Sequence, residues 1–336
     1  MNLMDQIYKK AQEYPLRVAF PETEEKKILQ AAVECGEKGY CIPVFVGKKE
    51  EVLQNAEKFG IDISAYEIAD SSDEVWLEEL IAEFVPINGM FSAKAMKRKS
   101  KDAMIVAFMM QVVGRVDVMF AGMAHTTADV VLGAQTYIGL QEGITTPSSI
   151  GIVDFPEFKT SEDNLLIIGD CAVCQNPNAE DLASIAITTC ETAKNLLGWD
   201  PRCALTSFST DGSAEGELVE KVQQARKIAL DRRPDLKIDG EFQLDAAIIP
   251  ETAAKKVKRD SEVAGKANIL IWPDLNVGNI CVKLIQLLGR ADAYGPCLQG
   301  FKKIVCDCSR NAPVSEVVGN VAISVVRAQA LKKDAE

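Results

Sequence analysis

An α/β fold, strands alternating with helices, is what this 336-residue sequence predicts, and three observations carry the prediction. Short apolar runs of the kind that form buried strands, such as Leu165–Gly169, recur between longer segments that carry an apolar stripe at helical spacing. The composition, 47% hydrophobic and 26% charged, is that of an ordinary globular chain and not of a disordered one. The length fits two domains, or one large α/β domain with an inserted lobe, and either buries a sizeable core.

The elements follow in order. Residues 17–21 read as a short strand, and 23–37 as a helix whose Ile28, Leu29, Ala31 and Ala32 share a face. Residues 42–46 are the next strand. A long helical stretch over 93–114 opens on a basic run, Lys94, Lys97, Arg98, Lys99 and Lys101, which reads either as a solvated face or as a phosphate- or coenzyme-facing patch. Residues 116–121 form a strand, with a helix from about Thr126. The Gly-, Thr-, Pro- and Ser-rich segment 141–149 marks a domain boundary. A second α/β block follows: a strand at 165–169, then a helix capped by Asn178 with Asp181 in its first turn, running to about Leu197. Strands at 202–209 and 269–272 alternate with helices at 216–232 and 277–288. A last strand at 303–307 and an apolar-faced helix at 315–331 complete the chain. Apolar strands separated by helices imply parallel sheets covered on both faces.

Charge and cysteine usage narrow the function. The net charge is −12 and the pI near 4.9; phosphate backbones demand clustered positive charge, so nucleic acid is not an expected partner. Small anions are still admissible, since helix N-termini and a few local basic groups hold them. The first 14 residues are polar and amphipathic, unlike a signal peptide. No window approaches 18 uninterrupted apolar residues, so no membrane span is expected. The ten cysteines are scattered, several inside apolar runs, which fits a reduced, cytoplasmic protein.

Four strand-end turns hold the candidate chemistry. Ser207, Ser209, Thr210, Gly212 and Ser213 stand in a strand-to-helix turn that can offer backbone N–H and hydroxyl donors to a phosphate; an ordinary capped turn has the same composition. The lone histidine, His125, is followed by Thr126 and Thr127, which can cap a helix or point hydroxyls at an anion; a single histidine is more often a hydrogen-bonded structural residue. Asn276, Gly278 and Asn279 open a helix after a strand and combine close backbone approach with two amides. Ser309 and Arg310 end the last strand, where open α/β sheets place ligands, and Arg310 offers a rigid fork for phosphate. Glu316 in the next helix's first turn is also explained by the helix dipole alone. Cys171 and Cys174 have C-x-x-C spacing, but no second Cys/His pair stands at metal spacing and one histidine cannot complete four ligands, so no metal is expected. No GxGxxG or Walker motif appears.

Taken together, "AGMAHTTAD", "GDCAVCQNPNAEDLASIAI", "SFSTDGS", "IDGEFQLDAA", "AGKANILIWPDLNVGNI" and "YGPCLQG" resemble the phosphate acetyl/butyryltransferase family, over nearly the whole chain and most strongly after residue 116. The resemblance implies an isocitrate-dehydrogenase-like fold of two αβα lobes, residues 1–147 plus 302–336 and residues 148–301, with the active site in the cleft between them, and a homodimer. It implies transfer of an acetyl group between coenzyme A and inorganic phosphate, with acyl-CoA and phosphate as substrates and no permanently bound cofactor. Glu316 would be the base, Arg310 the phosphate clamp, Ser309 a hydrogen-bond donor and Cys171 a residue beside the cleft. His125, Thr126, Thr127 and the Ser207–Ser213 and Asn276–Asn279 turns would bind substrate. Four departures stand out: Leu132 where the family places an arginine, followed by Gly133 in place of proline; Asp211 in place of a basic residue; Lys26 in place of the family's arginine near the N-terminal Pro21-Glu22; and Glu316 in place of an aspartate. Three competitors remain. One is a propionyl, butyryl or branched-chain acyltransferase, and another a catalytically weakened paralogue that binds coenzyme A. The third, a metal-dependent dehydrogenase on the same fold, wants clustered aspartates and a nicotinamide site that the sequence lacks.

Overall fold

The computed structural model describes residues 2–333. The chain divides into two compact units, Met1–Gly139 with Phe301–Glu336, and Leu140–Gly300.

The first unit opens with α1 (Leu3–Glu13), started by a capping box in which the Asn2 side chain accepts from the Asp5 amide at 2.8 Å. Then come β1 (Leu16–Phe20), α2 (Lys26–Glu37), β2 (Cys41–Gly47), α3 (Lys49–Phe59), β3 (Glu67–Asp70), α4 (Glu74–Asn88), α5 (Ala93–Lys99), α6 (Ala103–Val112), β4 (Val118–Phe120) and α7 (Thr127–Tyr137). The single helix expected over 93–114 is two: Ser100 ends the first, and Asp102 caps the second by accepting from the Met104 amide at 2.8 Å. A capping side chain inside an apolar run starts a new helix rather than continuing the old one.

The second unit contains β5 (Ser148–Asp154), β6 (Leu165–Gly169), α8 (Ala179–Leu197), β7 (Arg202–Thr206), α9 (Glu217–Arg232), β8 (Lys237–Phe242), α10 (Leu244–Ile248), α11 (Pro250–Lys256), β9 (Ile269–Ile271), α12 (Leu275–Leu287) and β10 (Asp292–Gln299). The chain returns to the first unit with β11 (Ile304–Cys306) and α13 (Val314–Lys333). The break between units falls at Gly139/Leu140, before the Gly/Pro-rich segment rather than inside it. Thr145 shows why, since its hydroxyl donates to Asp181 of α8 at 2.8 Å.

The first sheet, β11-β4-β1-β2-β3, is parallel throughout. Phe20, Phe45 and Phe120, all fully buried, pack ring against ring along it. α13 packs on α1, α2 and these strands; it is long and apolar enough to cross a membrane, yet 67% of it is buried in the protein, which makes it a core helix. The second sheet runs β10-β5-β6-β9-β7-β8 and is mixed, against the expectation of parallel strands only: β6, β9, β7 and β8 are parallel, β5 pairs antiparallel with β6, and β10 pairs antiparallel with β5. Both antiparallel strands hide their pattern. β5 begins on two buried serines, Ser148 and Ser149, and β10 carries Gly295-Pro296 at an irregularity on the sheet edge, where proline is tolerated.

Candidate active site

The first unit assembles one cluster at the carboxyl ends of β1, β4 and β11. Its organiser is Glu22, two residues past β1, whose side chain is wholly buried. It accepts from the amides of Gly122, Met123 and His125 at 3.0, 2.7 and 2.9 Å, and its Oε1 lies 3.0 Å from His125 Nδ1. These donors outweigh the desolvation and hold its carboxyl below the usual range. The other ring nitrogen of His125 faces Asp102 at 3.8 Å. Held by Asp102 and Glu22 on both edges, His125 is raised from 6.5 to about 10 and is an imidazolium at neutral pH.

The turn that Glu22 holds leads into α7. Thr126 caps it, its hydroxyl accepting from the Asp129 amide at 3.1 Å while the Asp129 carboxylate takes the Thr126 amide and hydroxyl. Thr127 is half-buried and donates its hydroxyl to Asp307 Oδ2 at 2.6 Å. Asp307 directly follows β11 and is fully buried; burial raises its carboxyl from 3.8 to about 6, against the lowering effect of Thr127 and the Cys308 amide. Its Oδ1 has no hydrogen-bond partner and lies against Gly122. Gly122 has φ +118°, and a Cβ there would come within 2.7 Å of the Cys308 amide and closer still to Asp307 Oδ1, so only glycine fits.

Two and three residues beyond Asp307, Ser309 and Arg310 are exposed. The Ser309 carbonyl accepts from the Ala312 amide at 2.9 Å, its hydroxyl from the Asn311 amide at 3.4 Å, and Lys27 Nζ ties the turn down through the Ala312 carbonyl at 2.9 Å. Arg310 is near enough to the α7 turn to help lower Asp129, whose first cause of lowering is the Thr126 hydroxyl. Glu316, in the first turn of α13, reaches solvent, but the protein against its other side desolvates it and raises its carboxyl.

The second unit assembles its own cluster at the carboxyl ends of β6, β9 and β7, which are neighbours in the sheet. After β6, buried Asp170 accepts from the amides of Ser149, Ala172 and Cys174 and from the Ser149 hydroxyl. This fixes Cys171, which is buried and whose thiol burial pushes up to about 12. The Asn279 amide reaches the Cys171 carbonyl at 3.4 Å. Gly278, on the first turn of α12, packs so tightly against the Asp170 carbonyl that a Cβ would collide with it. Asn276 and Asn279 are exposed.

In the Ser207–Ser213 turn the hydroxyls divide. Ser209 and Thr210 are buried. Ser209 donates to Glu241 Oε1 at 2.9 Å and accepts from the Ala214 amide, while Thr210 accepts from the Gln243 amide at 2.8 Å. Both build the turn. Gly212 and Ser213 are exposed and Ser207 is half-buried. Asp211, at φ +49°, is engaged by Arg259 Nε at 2.8 Å, and Arg259 is itself forked onto Asp239. No basic side chain of this turn is therefore available to a ligand.

The structure thus places His125, Thr126, Thr127, Ser309 and Arg310 around the β4 and β11 ends of the first unit. Cys171, Asn279, Gly278 and the Ser207–Ser213 turn stand around the β6, β9 and β7 ends of the second. Sequence reading missed the buried carboxylates Glu22, Asp170, Glu241 and Asp307 and the partly exposed Asp102. Glu22, Asp170 and Asp307 carried a signal, each an acid one or two residues after an apolar strand. Among the described residues no group of three His, Cys, Asp or Glu side chains could hold a metal ion.

Comparison with known proteins gives concordant matches. The model of the family described as phosphate acetyl/butaryl transferase matches residues 2–325. The phosphate acetyltransferase of Clostridium acetobutylicum is 40% identical over 332 residues, spanning 98% of this chain and 99% of that protein. That of Bacillus subtilis is 34% identical over 334 residues, spanning 98% and 99%. The solved structure of a phosphotransacetylase from Streptococcus pyogenes superposes with a TM-score of 0.89 at 34% identity, covering 99% of this chain and all of that one.

Proposed function

The chain belongs to the phosphate acetyl/butaryl transferase family, and we propose that it interconverts acetyl-CoA and phosphate with acetyl phosphate and coenzyme A. The observation that carries this reading is the first-unit cluster, in which a serine and an exposed arginine follow a strand end tied by Thr127–Asp307 to a helix N-terminus. That is a site built for a small anion.

In the forward direction a phosphate oxygen attacks the thioester carbonyl carbon, the C–S bond breaks, and coenzyme A leaves as a thiolate that takes up a proton. In reverse, the coenzyme A thiol gives its proton to a base and attacks the carbonyl carbon of acetyl phosphate, the C–O bond breaks, and phosphate leaves. We assign the base to Glu316, whose raised carboxyl is better matched to a thiol proton than an ordinary glutamate. Arg310 binds the phosphoryl group and offsets the charge that develops in the transition state, and Ser309 donates to the oxyanion or thiolate. His125 adds a fixed positive charge to the turn that carries Thr126 and Thr127. In the second unit, Ser207, Gly212, Ser213, Asn276, Gly278 and Asn279 offer coenzyme A donors and a close backbone, with Ser209 and Thr210 shaping the turn. Cys171 is positional: its thiol stays protonated at neutral pH, so a direct transfer without acyl-enzyme is the fitting chemistry. We place the protein in the cytoplasm, as a homodimer; the absence of any disulfide among the described cysteines accords with a reducing compartment.

Coenzyme A release, followed with a thiol reagent in the presence of phosphate and a panel of acyl-CoAs, tests the proposal. Phosphate-dependent release fastest with acetyl-CoA is expected; a faster propionyl or butyryl substrate would move the assignment along the acyl series. A specific observation favours a second reading. Leu132, where the family has an arginine, is 63% exposed on α7, and that helix contains no basic residue. Intact coenzyme A binding with no phosphate-dependent release would establish a coenzyme A-binding paralogue instead.

A further inference from the structure

The second-unit cluster offers coenzyme A many donors and little charge. The Ser207–Ser213 turn carries Asp211 and no basic residue, and Asp211 is taken up by Arg259. Asn276, Gly278 and Asn279 bring amides only. Coenzyme A carries phosphates at one end, and neutral donors alone leave their charge uncompensated.

One ammonium is common to the three strand-end turns of this unit. Lys221, on the N-terminal part of α9 beyond the turn that follows β7, is half-buried and donates from Nζ to the Pro273 carbonyl at 2.8 Å. Pro273 lies two residues past β9 and directly before Asp274, which caps α12 by accepting from the Val277 amide at 3.1 Å. Burial raises the thiol of Cys174, in the turn after β6, and Lys221 is near enough to offset part of that rise. The ammonium thus stands at the carboxyl ends of β6, β9 and β7, where open α/β sheets hold their ligands.

Its own bonding is incomplete. A lysine ammonium has three donors, and the Pro273 carbonyl takes one. A carbonyl does not neutralise the charge. Among the described residues Lys221 makes no ion pair, whereas Arg226 and Arg232 of the same helix are paired with Asp239 and Glu180. Lys283 is also close to this cluster, but it is exposed and spends a donor on Asn279 Oδ1 at 2.6 Å. A charge partly sheltered from solvent is screened less than an exposed one.

We propose that Lys221 binds a phosphate group of coenzyme A, supplying the positive charge that the Ser207–Ser213 turn lacks. This rests on the coenzyme A reading above and names a residue for it. Two donors remain for phosphate oxygens, and the bond to Pro273 already holds the long side chain, so less rotamer freedom is lost on binding.

The test compares wild type with Lys221→Met, which keeps most of the apolar stem and removes the charge. Calorimetry gives the affinity for coenzyme A. Initial rates with saturating phosphate give KM and kcat for acetyl-CoA and for S-acetylpantetheine, which has the same thioester and no phosphate. The variant should bind coenzyme A, and show KM for acetyl-CoA, roughly 10- to 100-fold more weakly, the effect of one charge-assisted contact, with kcat within about twofold. KM for S-acetylpantetheine should stay unchanged, and Lys221→Arg should restore most of the loss. Acetyl-dephospho-CoA, which lacks only the phosphate on the ribose, locates the contact: a loss on it too assigns the pyrophosphate, and a loss confined to acetyl-CoA assigns the ribose phosphate. An equal loss on acetyl-CoA and S-acetylpantetheine means that Lys221 only holds α9 to the start of α12, and overturns the proposal, as does an unchanged affinity for coenzyme A. If Lys221→Met does not fold by circular dichroism, wild type decides. Reductive methylation of Lys221, read by peptide mass spectrometry, should be slowed by coenzyme A and not by pantetheine; a rate that coenzyme A leaves unchanged, or that pantetheine slows equally, overturns the proposal. Weakened coenzyme A binding in a protein that transfers no acyl group removes the enzymatic reading and keeps this inference, and full activity with unchanged coenzyme A affinity removes this inference alone.

Discussion

Asp307→Asn should make the first unit less dependent on pH, in a direction that the structure fixes. Burial raises the Asp307 carboxyl from 3.8 to about 6. A raised acid binds its proton more tightly in the folded state than in the unfolded one. Its desolvation therefore costs stability in full above pH 6, and that cost is relieved as pH falls through 6 towards 3.8. The shift of about 2 pKa units corresponds to ~3 kcal/mol, and on going from pH 8 to pH 4.5 roughly two-thirds of it, about 2 kcal/mol, is recovered. Asparagine keeps an acceptor for the Thr127 hydroxyl and removes the titration. Its amide brings a buried NH2 against Gly122, where Oδ1 has no partner in the wild type, but that penalty is the same at both pH values and cancels in the difference. The quantity to measure is the stability of the variant minus that of wild type at pH 8 and again at pH 4.5. Urea unfolding followed by Trp76 isolates the first unit once Trp199 and Trp272 are replaced by Phe, because Trp76 is its single tryptophan. The difference should be about 2 kcal/mol more favourable to the variant at pH 8. The same difference at both pH values would refute the assignment of a raised, buried carboxyl at this position.

Arg310→Ala is expected to lower turnover on the order of 100-fold, the cost of losing a donor to developing charge, while Glu316→Asp keeps the carboxylate and should lower it less than about tenfold; steady-state kinetics with saturating phosphate and acetyl-CoA compare them, and a near-wild-type Arg310→Ala removes the clamp. His125 should show both ring nitrogens protonated from pH 6 to 8 in a 15N spectrum, unambiguous because the chain has one histidine; the sign is that its stabilising interaction is complete below 6.5 and lost as pH rises through about 10. Removing one partner by Asp102→Asn should bring that titration down, and an unchanged value means that Asp102 does not hold the ring. Gly122→Ala should lower thermal stability by about 2 kcal/mol or more, since it combines left-handed backbone with a collision against backbone and a buried carboxyl; a calorimetric midpoint within error of wild type would show that the β4–α7 turn is not close-packed on β11.

Much of the fold was legible because apolar strands and capped helices obey local rules. Leu165–Gly169 and the Asn178-capped α8 stand where periodicity and capping chemistry put them. The unread strands of the second unit share one cause. β5, β8 and β10 contain Ser148, Ser149, Asp239, Glu241 and Gly295-Pro296, polar or turn-forming residues whose partners lie far along the chain, so no local pattern announces them. At the candidate site, the exposed groups Ser309, Arg310, Asn276 and Asn279 were legible from their position at strand ends. What holds them was not: Glu22 meets its donors 100 to 103 residues away, and Thr127 meets Asp307 across 180.

Those hidden carboxylates explain how an acidic chain can build anion sites. Glu22, Asp170 and Glu241 each sit under a strand-end turn and gather backbone amides: Gly122, Met123 and His125 for the first; Ser149, Ala172 and Cys174 for the second; Gly212 and the Ser209 hydroxyl for the third. A buried carboxylate that accepts several donors at once holds those donors in one geometry, so it fixes the turn's shape from within. The exposed part of each turn is then positioned by an interior anchor, and the negative charge of that anchor is spent inward. Arg310, on an exposed turn beyond Asp307, keeps its guanidinium in solvent-accessible reach of the α7 turn. Neutralising an anchor should therefore loosen a turn without removing any of the exposed groups that it carries. Glu22→Gln is the sharpest case: a glutamine cannot match a carboxylate that takes three amides and a histidine, and one of its own ends becomes a donor facing donors. The variant should lose affinity for phosphate and drop the His125 pKa together, because both depend on the same side chain. Loss of one without the other would separate the anchor from the site.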